Sequence, residues 1–233
     1  MRAVRVAVFA SGGGTNLQAI LDHLRGPAGA VARVALVVSD RADAGALDRA
    51  RRAGVATRVI AVRDRPVDAV ARETLEALAE ARIELVALAG YLRLVPAEVV
   101  RVFRDRIVNI HPALLPAFGG AGMYGARVHR AVLEAGCRVS GATVHLVDEH
   151  YDRGPILVQW PVPVLPDDTP ETLAARVLRV EHAIYPVAVE ALARAVAGGE
   201  PVRAFRFPDA TTFTLAAGDA PDARQVRRAL GMD

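Results

Sequence analysis

The chain of 233 residues contains no lysine, and all 29 of its basic residues are arginines. This absence excludes mechanisms that depend on a lysine, among them the phosphate-binding P-loop, the strand lysine of kinases and Schiff-base chemistry. The arginines are scattered among 26 acidic residues and form no single block. Such a mixture is typical of solvated helix faces, so we do not expect nucleic acid as a partner.

Cysteines and long apolar runs are scarce as well. Cys137 is the only cysteine, so no disulfide can form within the chain, which favours a cytoplasmic location. No apolar run reaches the roughly 20 residues of a membrane span, and the first residues lack the pattern of a secretory signal peptide. No cysteine pair and no histidine spacing is typical of a metal site. We therefore expect neither a membrane anchor nor a metal.

The chain is rich instead in short aliphatic runs that alternate with helical stretches. We assign strands to residues 4–9, 34–38, 57–62, 85–89 and 107–110. We assign helices to residues 16–24, 44–52, 67–81 and 97–103. Near-continuous apolar strands are typical of a parallel sheet that is covered on both faces. The pattern predicts an α/β fold, with a doubly wound, mostly parallel sheet and helices on both faces.

The pattern changes after Pro112. A glycine-rich loop at 116–122 leads to a predicted helix at 127–135. Two β-like runs, 141–147 and 156–164, are joined by the polar segment 148–155, and a long helix follows at 170–197. We predict one catalytic domain over residues 1–198 and a C-terminal extension, residues 199–233, packed on the same domain.

Asn109 and His111 are the most informative pair of residues in the chain. They lie at i and i+2 of a predicted strand, so their side chains point to the same side. Pro112 cannot continue a central strand, which places the pair at the strand's carboxyl end, where open α/β sheets bind ligands. An amide donor beside a titratable imidazole suits the stabilisation of an oxyanion and the transfer of a proton.

A second candidate site is the segment from Ser11 to Asn16, which contains three consecutive glycines. It joins the first strand to the first helix, where free backbone N–H groups favour a phosphate. A dinucleotide fingerprint would need a third glycine or alanine where Leu17 stands. Asp40 ends the second strand, as a ribose-binding acid would, so a nicotinamide-dependent oxidoreductase remains an alternative. A non-catalytic nucleotide-binding module is less well supported, since it leaves the Asn109–His111 pair unexplained.

The polar segment 148–155 can bring an acid back towards His111. A carboxylate beside the imidazole would raise its pKa and orient it. Asp148 and Asp152 both qualify, and their spacing does not choose between them. Of the other histidines, we expect His129 on the protein surface and His145 in the core.

Taken together, these residues resemble the formyltransferase family that uses 10-formyltetrahydrofolate. The matching runs are VAVFASGGGTNLQAIL, LAGYLRLVP, IVNIHPALLPAFGG, SGATVHLVDEHYDRGPILVQ and VEHAIYP, which together span residues 4 to 186. The resemblance implies a Rossmann-like formyltransferase fold. It also implies a small-molecule reaction in which the folate is the co-substrate and no metal takes part.

The family's pattern implies a role for individual residues of this chain. Asn109, His111 and Asp152 match its catalytic residues, with Arg153 in place of the first glycine that follows the aspartate. The resemblance therefore favours Asp152 over Asp148. Three groups of residues match the binding sites. The ribose phosphate is matched by Gly14, Thr15 and Asn16, and the glycinamide substrate by Glu181. The folate is matched by Leu92, Arg93, Leu94, Val95 and Asn109, and more loosely by Arg65.

The implied reaction is formyl transfer to the amine of 5'-phosphoribosylglycinamide in purine synthesis, by a monomer or a homodimer. Two other members of the family share the catalytic residues. Methionyl-tRNA formyltransferase carries a sizeable C-terminal domain, for which we expect the residues after position 198 to be too few. Formyltetrahydrofolate deformylase carries an N-terminal regulatory domain, whereas the matching region here begins at residue 4.

Overall fold

The computed structural model describes residues 2–199, 220–230 and 232 of the chain. Its strands are β1 (Val4–Phe9), β2 (Ala32–Ser39), β3 (Ala56–Val59), β4 (Leu85–Leu88), β5 (Ile107–His111), β6 (Val139–Leu146) and β7 (Ile156–Pro163). Its helices are α1 (Thr15–Leu24), α2 (Gly45–Arg52), α3 (Val67–Glu80), α4 (Ala97–Val102), α5 (Ala126–Glu134), α6 (Pro170–Gly198) and α7 (Ala223–Ala229), with a short 3-10 turn at Pro27–Ala30.

The strands form one sheet in the order β3-β2-β1-β4-β5-β6-β7. Strands β1 to β5 are parallel, and β6 and β7 add an antiparallel pair beside β5. The predicted mostly parallel, doubly wound sheet is thereby confirmed. The chain progresses to one side from β1 to β3 and to the other side from β4 onwards. Because loops diverge at such a reversal, the carboxyl ends of β1 and β4 border a crevice.

Helices cover both faces of the sheet, as predicted. Along β1 the side chains alternate between two hydrophobic clusters: Val6 and Val8 face one, while Ala7 and Phe9 face the other. Helices α1, α2, α5 and α6 pack into the first cluster, and α3 and α4 into the second. The period of two along a strand is therefore what divides the aliphatic residues between the two layers.

The prediction of a buried apolar strand over residues 57–62 is wrong in two respects: the strand is shorter, and it is not buried. Strand β3 runs from Ala56 to Val59 and pairs only with β2, at the edge of the sheet. Its side chains are exposed or half-buried, and Arg58 is typical of an edge strand because a charge discourages further pairing.

Helix α6 has 29 residues and holds several elements together. It begins with a capping box between Thr169 and Thr172. The hydroxyl of Tyr185, which is fully buried, lies 2.9 Å from the carbonyl oxygen of Leu88 and 3.1 Å from that of Val108. Those carbonyls belong to β4 and β5, so one side chain ties the helix to both strands that approach the crevice.

Helix α7 packs on α6 near its C-terminal half. Val226 and Leu230 are buried in the cluster that contains α6, and Arg227 contacts the buried carboxylate of Glu190 at 3.1 Å. Residues 200–219 of the predicted extension lie outside the described residues, so the division at position 198 stays a prediction. Among the helices of the described ranges, none combines the length and apolar character that a membrane span requires.

Replacement of Tyr185 by phenylalanine tests the tie between α6 and the sheet. The variant loses the single O–H that lies between these two carbonyl oxygens, so we expect the free energy of unfolding to fall by about 1–2 kcal/mol. Urea denaturation of the purified protein measures this. The matched control is Tyr124→Phe, since Tyr124 is 39% exposed. Equal stability of the two variants would contradict the role of the buried hydroxyl.

Candidate active site

A cleft of about 750 Å³ opens at the carboxyl ends of β1, β4 and β5. Its wall is built from the loops that follow these strands, from the β6–β7 loop and from the first half of α6. The cleft lies where the chain order of the sheet reverses, which is the expected ligand position in an open α/β sheet. Asn109, His111 and Asp152 all line it.

Asn109, His111 and Asp152 contact one another, although they come from a strand and from a distant loop. Oδ1 of Asp152 lies 3.4 Å from Nδ2 of Asn109, and Oδ2 lies 3.6 Å from Nδ1 of His111. The backbone N–H of Gly120 donates to Oδ2 at 2.9 Å. Asp148 is elsewhere: its Oδ1 accepts from the backbone N–H of His150. The structure thus brings Asp152, and not Asp148, to the strand end.

Asp152 reaches this place through an uncommon backbone conformation. Its φ is 55°, in the left-handed region, which aspartate tolerates better than most residues. Two residues later, Gly154 is required because a Cβ there would lie 1.8 Å from the carbonyl oxygen of Leu146. The tight loop after β6 therefore returns the carboxylate into the cleft.

The imidazole of His111 is held at one nitrogen and unengaged at the other. Nε2 lies 2.9 Å from the carbonyl oxygen of Phe118, so the N–H at this position donates to that carbonyl. Nδ1 faces Asp152 at a distance too long for a direct hydrogen bond. Nδ1 is therefore the nitrogen that can exchange a proton with a bound group.

Our expectation for the pKa of His111 needs correction. Burial lowers the pKa of the imidazole, and although Asp152 and the Phe118 carbonyl act to raise it, the pKa lies below its ordinary value. Asp152 raises the pKa of His111, as predicted. Its effect is smaller than that of desolvation, which lowers the pKa because the His111 side chain is only 3% exposed.

His145 is buried, as predicted for a core histidine, yet it also contacts the candidate site. Its Nδ1 lies 2.8 Å from the Leu146 carbonyl oxygen, and its Nε2 lies 3.0 Å from Nδ2 of Asn109 and 3.5 Å from Asp152. Burial raises the pKa of the Asp152 carboxyl, but the contacts with His145, His111 and the Gly120 N–H outweigh this, so its pKa lies below the ordinary value. Asp152 is therefore ionised at neutral pH.

The expectation that His129 lies on the surface is wrong. The residue is 4% exposed, lines the cleft from α5, and its Nδ1 has no hydrogen-bond partner among the described residues. Burial and the proximity of His111 lower its pKa. The sequence did contain a signal for its burial. His129 is close in helical spacing to the apolar Val128 and Val132, and all three share the buried face of α5.

At one end of the cleft lies the glycine loop. Asn16 and Glu181 line the cleft, and Nδ2 of Asn16 donates to Oε2 of Glu181 at 2.6 Å. Burial raises the pKa of Glu181. Gly14 and Thr15 do not line the cleft; Gly14 turns towards α2, where a Cβ would lie 2.7 Å from Cα of Ala46.

At the other end lies the loop after β4. Leu92, Arg93, Leu94 and Val95 line the cleft, and Leu92 and Leu94 are each 43% exposed. The backbone N–H of Leu92 donates to the hydroxyl of Ser11 at 3.0 Å. Arg93 is held by Asp40, with Nε 2.8 Å from Oδ2. The loop therefore presents apolar side chains and backbone groups at a defined position.

Arg65 is not in the wall of this cleft, so its contact with the folate stays a prediction. Its guanidinium contacts the carbonyl oxygen of Ala61 at 3.0 Å and the carboxylate of Glu73 at 2.7 Å. Arg65 therefore links the loop before α3 to Glu73 on that helix. Across the described ranges, no group of three or more histidine, cysteine, aspartate or glutamate side chains is arranged to hold a metal ion.

Comparisons with known proteins identify the family of this chain. Residues 4–189 match the family described as Formyl transferase. The chain is 45% identical over 194 residues to the chloroplastic phosphoribosylglycinamide formyltransferase of Vigna unguiculata, covering 82% of this chain and 62% of the relative. It is 37% identical over 192 residues to the phosphoribosylglycinamide formyltransferase of Escherichia coli (strain K12), covering 80% and 85%. The chain therefore spans less than two thirds of the plant relative but most of the bacterial one.

Solved structures give the same result. The glycinamide ribonucleotide transformylase 1 of Symbiobacterium toebii superposes with a TM-score of 0.75 at 46% identity, over 83% of this chain and 89% of that protein. The phosphoribosylglycinamide formyltransferase of Brucella melitensis superposes with a TM-score of 0.75 at 43% identity, over 82% and 96%.

Replacement of Asp152 by asparagine tests its electrostatic contact with His111. The carboxylate favours the imidazolium, so its removal should lower the pKa of His111 further. A titration of the histidine ring resonances by NMR measures this directly. Asp148→Asn is the control, because that carboxylate lies near the exposed His150 instead. A His111 pKa that is unaffected by Asp152→Asn would contradict the coupling.

Proposed function

This chain belongs to the formyl transferase family, and from this premise we propose that it transfers the formyl group of 10-formyltetrahydrofolate to the amine of 5'-phosphoribosylglycinamide, a step of purine synthesis. The observation that carries the proposal is the position of Asn109, His111 and Asp152. They lie in one cleft between an anion-compatible glycine loop and an apolar loop. Two substrates can therefore meet at these three side chains.

The glycine loop and α1 supply the proposed phosphate site. We assign the phosphate to the segment Gly14, Thr15 and Asn16, because α1 begins at Thr15 and no side chain caps its first N–H groups. Such N–H groups attract an anion. Oδ1 of Asn16 is buried without a partner in the described part of the chain, and as an acceptor it suits a hydroxyl or an N–H of the ribonucleotide rather than its phosphate. Glu181, which binds Asn16, is then placed beside the ribose or the glycinamide.

The loop after β4 supplies the proposed folate site. A pterin is a flat heterocycle whose ring faces can stack on apolar groups and whose edge carries hydrogen-bond donors and acceptors. The half-exposed leucines 92 and 94 offer apolar contact for such a ring, and the backbone groups of 92–95 offer donors and acceptors for its edge. Arg93 is held in place by Asp40 at the rim. A contact of Arg65 with the folate is part of the proposal only through the looser match of the family's pattern, since Arg65 lies outside the wall of the cleft.

The reaction needs an oxyanion donor and a proton carrier. When the amine adds to the formyl carbon, the carbonyl oxygen becomes an oxyanion. We assign its stabilisation to Nδ2 of Asn109, because one N–H can remain with Nε2 of His145 while the other turns from its long contact with Asp152. Once the carbon–N10 bond breaks, the formyl group is on the glycinamide nitrogen and the folate nitrogen needs a proton.

We assign the movement of that proton to His111. Its Nε2 N–H is anchored on Phe118, so Nδ1 can take the proton lost by the amine and deliver it to the leaving nitrogen. Asp152 is ionised and lies 3.6 Å from Nδ1, so it stabilises the imidazolium that forms transiently. Asp152 also fixes the loop through Gly120 and thereby the position of Phe118. For the whole protein we propose a cytoplasmic location, in keeping with a single cysteine.

The proposal is tested by incubating the protein with 10-formyltetrahydrofolate, with and without 5'-phosphoribosylglycinamide. We expect tetrahydrofolate to form only when the ribonucleotide is present, together with one equivalent of formylated product. Absorbance of the folate and mass spectrometry of the ribonucleotide measure the two products. Release of formate without the ribonucleotide would identify a deformylase and refute the proposal.

Replacement of His111 by alanine tests the assigned proton carrier. Loss of a general acid–base residue commonly lowers the rate ~10²–10⁴-fold, and we expect a fall of that size in kcat. Folate affinity, measured by calorimetry, should change little because its proposed contacts come from residues 92–95. Retained binding also shows that the variant is folded. Near-normal kcat would refute the role of His111.

A further inference from the structure

The glycine loop between β1 and α1 has backbone N–H groups that the protein does not use. Within the described residues, the N–H groups of Gly12, Gly13 and Gly14 donate to no carbonyl and no side chain. Gly12 and Gly13 are exposed, and a Cβ at either would meet nothing within 4 Å. The loop thus has free N–H donors, and two of its three glycines have open space beside them.

The carbonyl groups of this loop are engaged by α2. The backbone N–H of Ala46 donates to the Gly12 oxygen at 3.0 Å, and Nε of Arg49 donates to the Gly13 oxygen at 2.8 Å. In a trans peptide the C=O and N–H point in opposite directions. Binding the Gly12 oxygen therefore turns the N–H of Gly13 away from α2, and binding the Gly13 oxygen does the same for the N–H of Gly14.

Arg49 also contacts α1, so it connects three segments. Its Nη1 donates to Oε1 of Gln18 at 3.3 Å, and Nε2 of Gln18 donates to Asp22 at 2.9 Å along the same helix. Arg49 is half-buried between α2 and the loop. The Arg49 guanidinium thereby fixes the orientation of the Gly13–Gly14 peptide and holds α1, which follows that peptide, against α2.

The charge of Arg49 reaches across the loop to α6. Burial lowers the pKa of His182, which follows Glu181, and the positive charge of Arg49 lowers it further. An arginine stays protonated at any physiological pH, so it adds a permanent positive potential beside the N-terminus of α1. Both the orientation and the charge favour a bound anion.

We propose that Arg49 is a positioning residue for the phosphate of the ribonucleotide, acting through the Gly13–Gly14 peptide, whose N–H at the N-cap of α1 it turns away from α2. The inference rests on the proposed function, because that function supplies the phosphate. It assigns to α2 a part in substrate binding although Arg49 itself is outside the wall of the cleft.

Arg49→Met removes the donor and the charge while keeping the unbranched stem. We expect the KM for 5'-phosphoribosylglycinamide to rise about tenfold, which corresponds to losing one hydrogen bond that a charge strengthens. The kcat and the KM for the folate should stay within about twofold of wild type. Arg49→Lys keeps a charged donor and should recover most of the affinity. Arg52→Met is the matched control, since Arg52 is exposed on the same helix and its one hydrogen bond within the described residues is to the Asp48 carbonyl oxygen.

Glycinamide riboside, which lacks the phosphate, separates positioning from a general loss of structure. With this substrate wild type and Arg49→Met should have the same kcat/KM within about twofold, because the group on which Arg49 acts is absent. An unchanged KM for the ribonucleotide in Arg49→Met would overturn the proposal. The proposal would also be overturned if Arg49→Met lowered kcat/KM for the riboside as much as for the ribonucleotide. It would equally be overturned if Arg52→Met raised the KM for the ribonucleotide as much as Arg49→Met does. Absence of ribonucleotide-dependent turnover in the wild type would instead refute the proposed function.

Discussion

A carboxylate that is nine-tenths buried needs hydrogen-bond donors, and at the centre of this cleft Asp152 takes them from two segments. The loop after β5 supplies the N–H of Gly120, and β5 supplies the amide of Asn109, whose nitrogen also lies 3.0 Å from Nε2 of His145 on β6. Glycine at position 119 favours this close approach, because a Cβ there would lie 3.1 Å from that of Asp152 and 2.5 Å from Cδ2 of Leu115. The carboxylate therefore organises the same groups that the proposed reaction uses.

The parts of the site that follow from local periodicity could be predicted, and those that depend on packing between distant segments could not. Asn109 and His111 share a side because a strand has a period of two, and their place at a strand end follows from Pro112. The choice of Asp152 over Asp148 depends on a left-handed residue and on a glycine that meets another strand, and no spacing encodes either. The error on His129 is of a different kind, because its spacing of three from Val132 already indicates the buried face of α5.

Asp40 shows how a pattern can indicate one function while the fold uses the residue for another. At the end of β2 an acid resembles the ribose ligand of a nicotinamide site. Here its carboxylate is 2% exposed and is paired with Arg93, from the loop after β4. The acid is therefore engaged in fixing the apolar loop and has little surface to offer a ribose, which weakens the oxidoreductase alternative beyond the presence of Leu17.

Helix α1 is held at both ends by carboxylates of α6, and this bears on how an anion is bound. Asn16 and His23 are seven residues apart, two turns of one helix face; Asn16 donates to Glu181 at 2.6 Å, and His23 contacts Glu190 at 2.8 Å. A helix fixed at both ends presents its first N–H groups in one orientation before any ligand arrives. Binding of the proposed phosphate would then cost little conformational entropy in α1, so more of the energy of its hydrogen bonds would contribute to affinity.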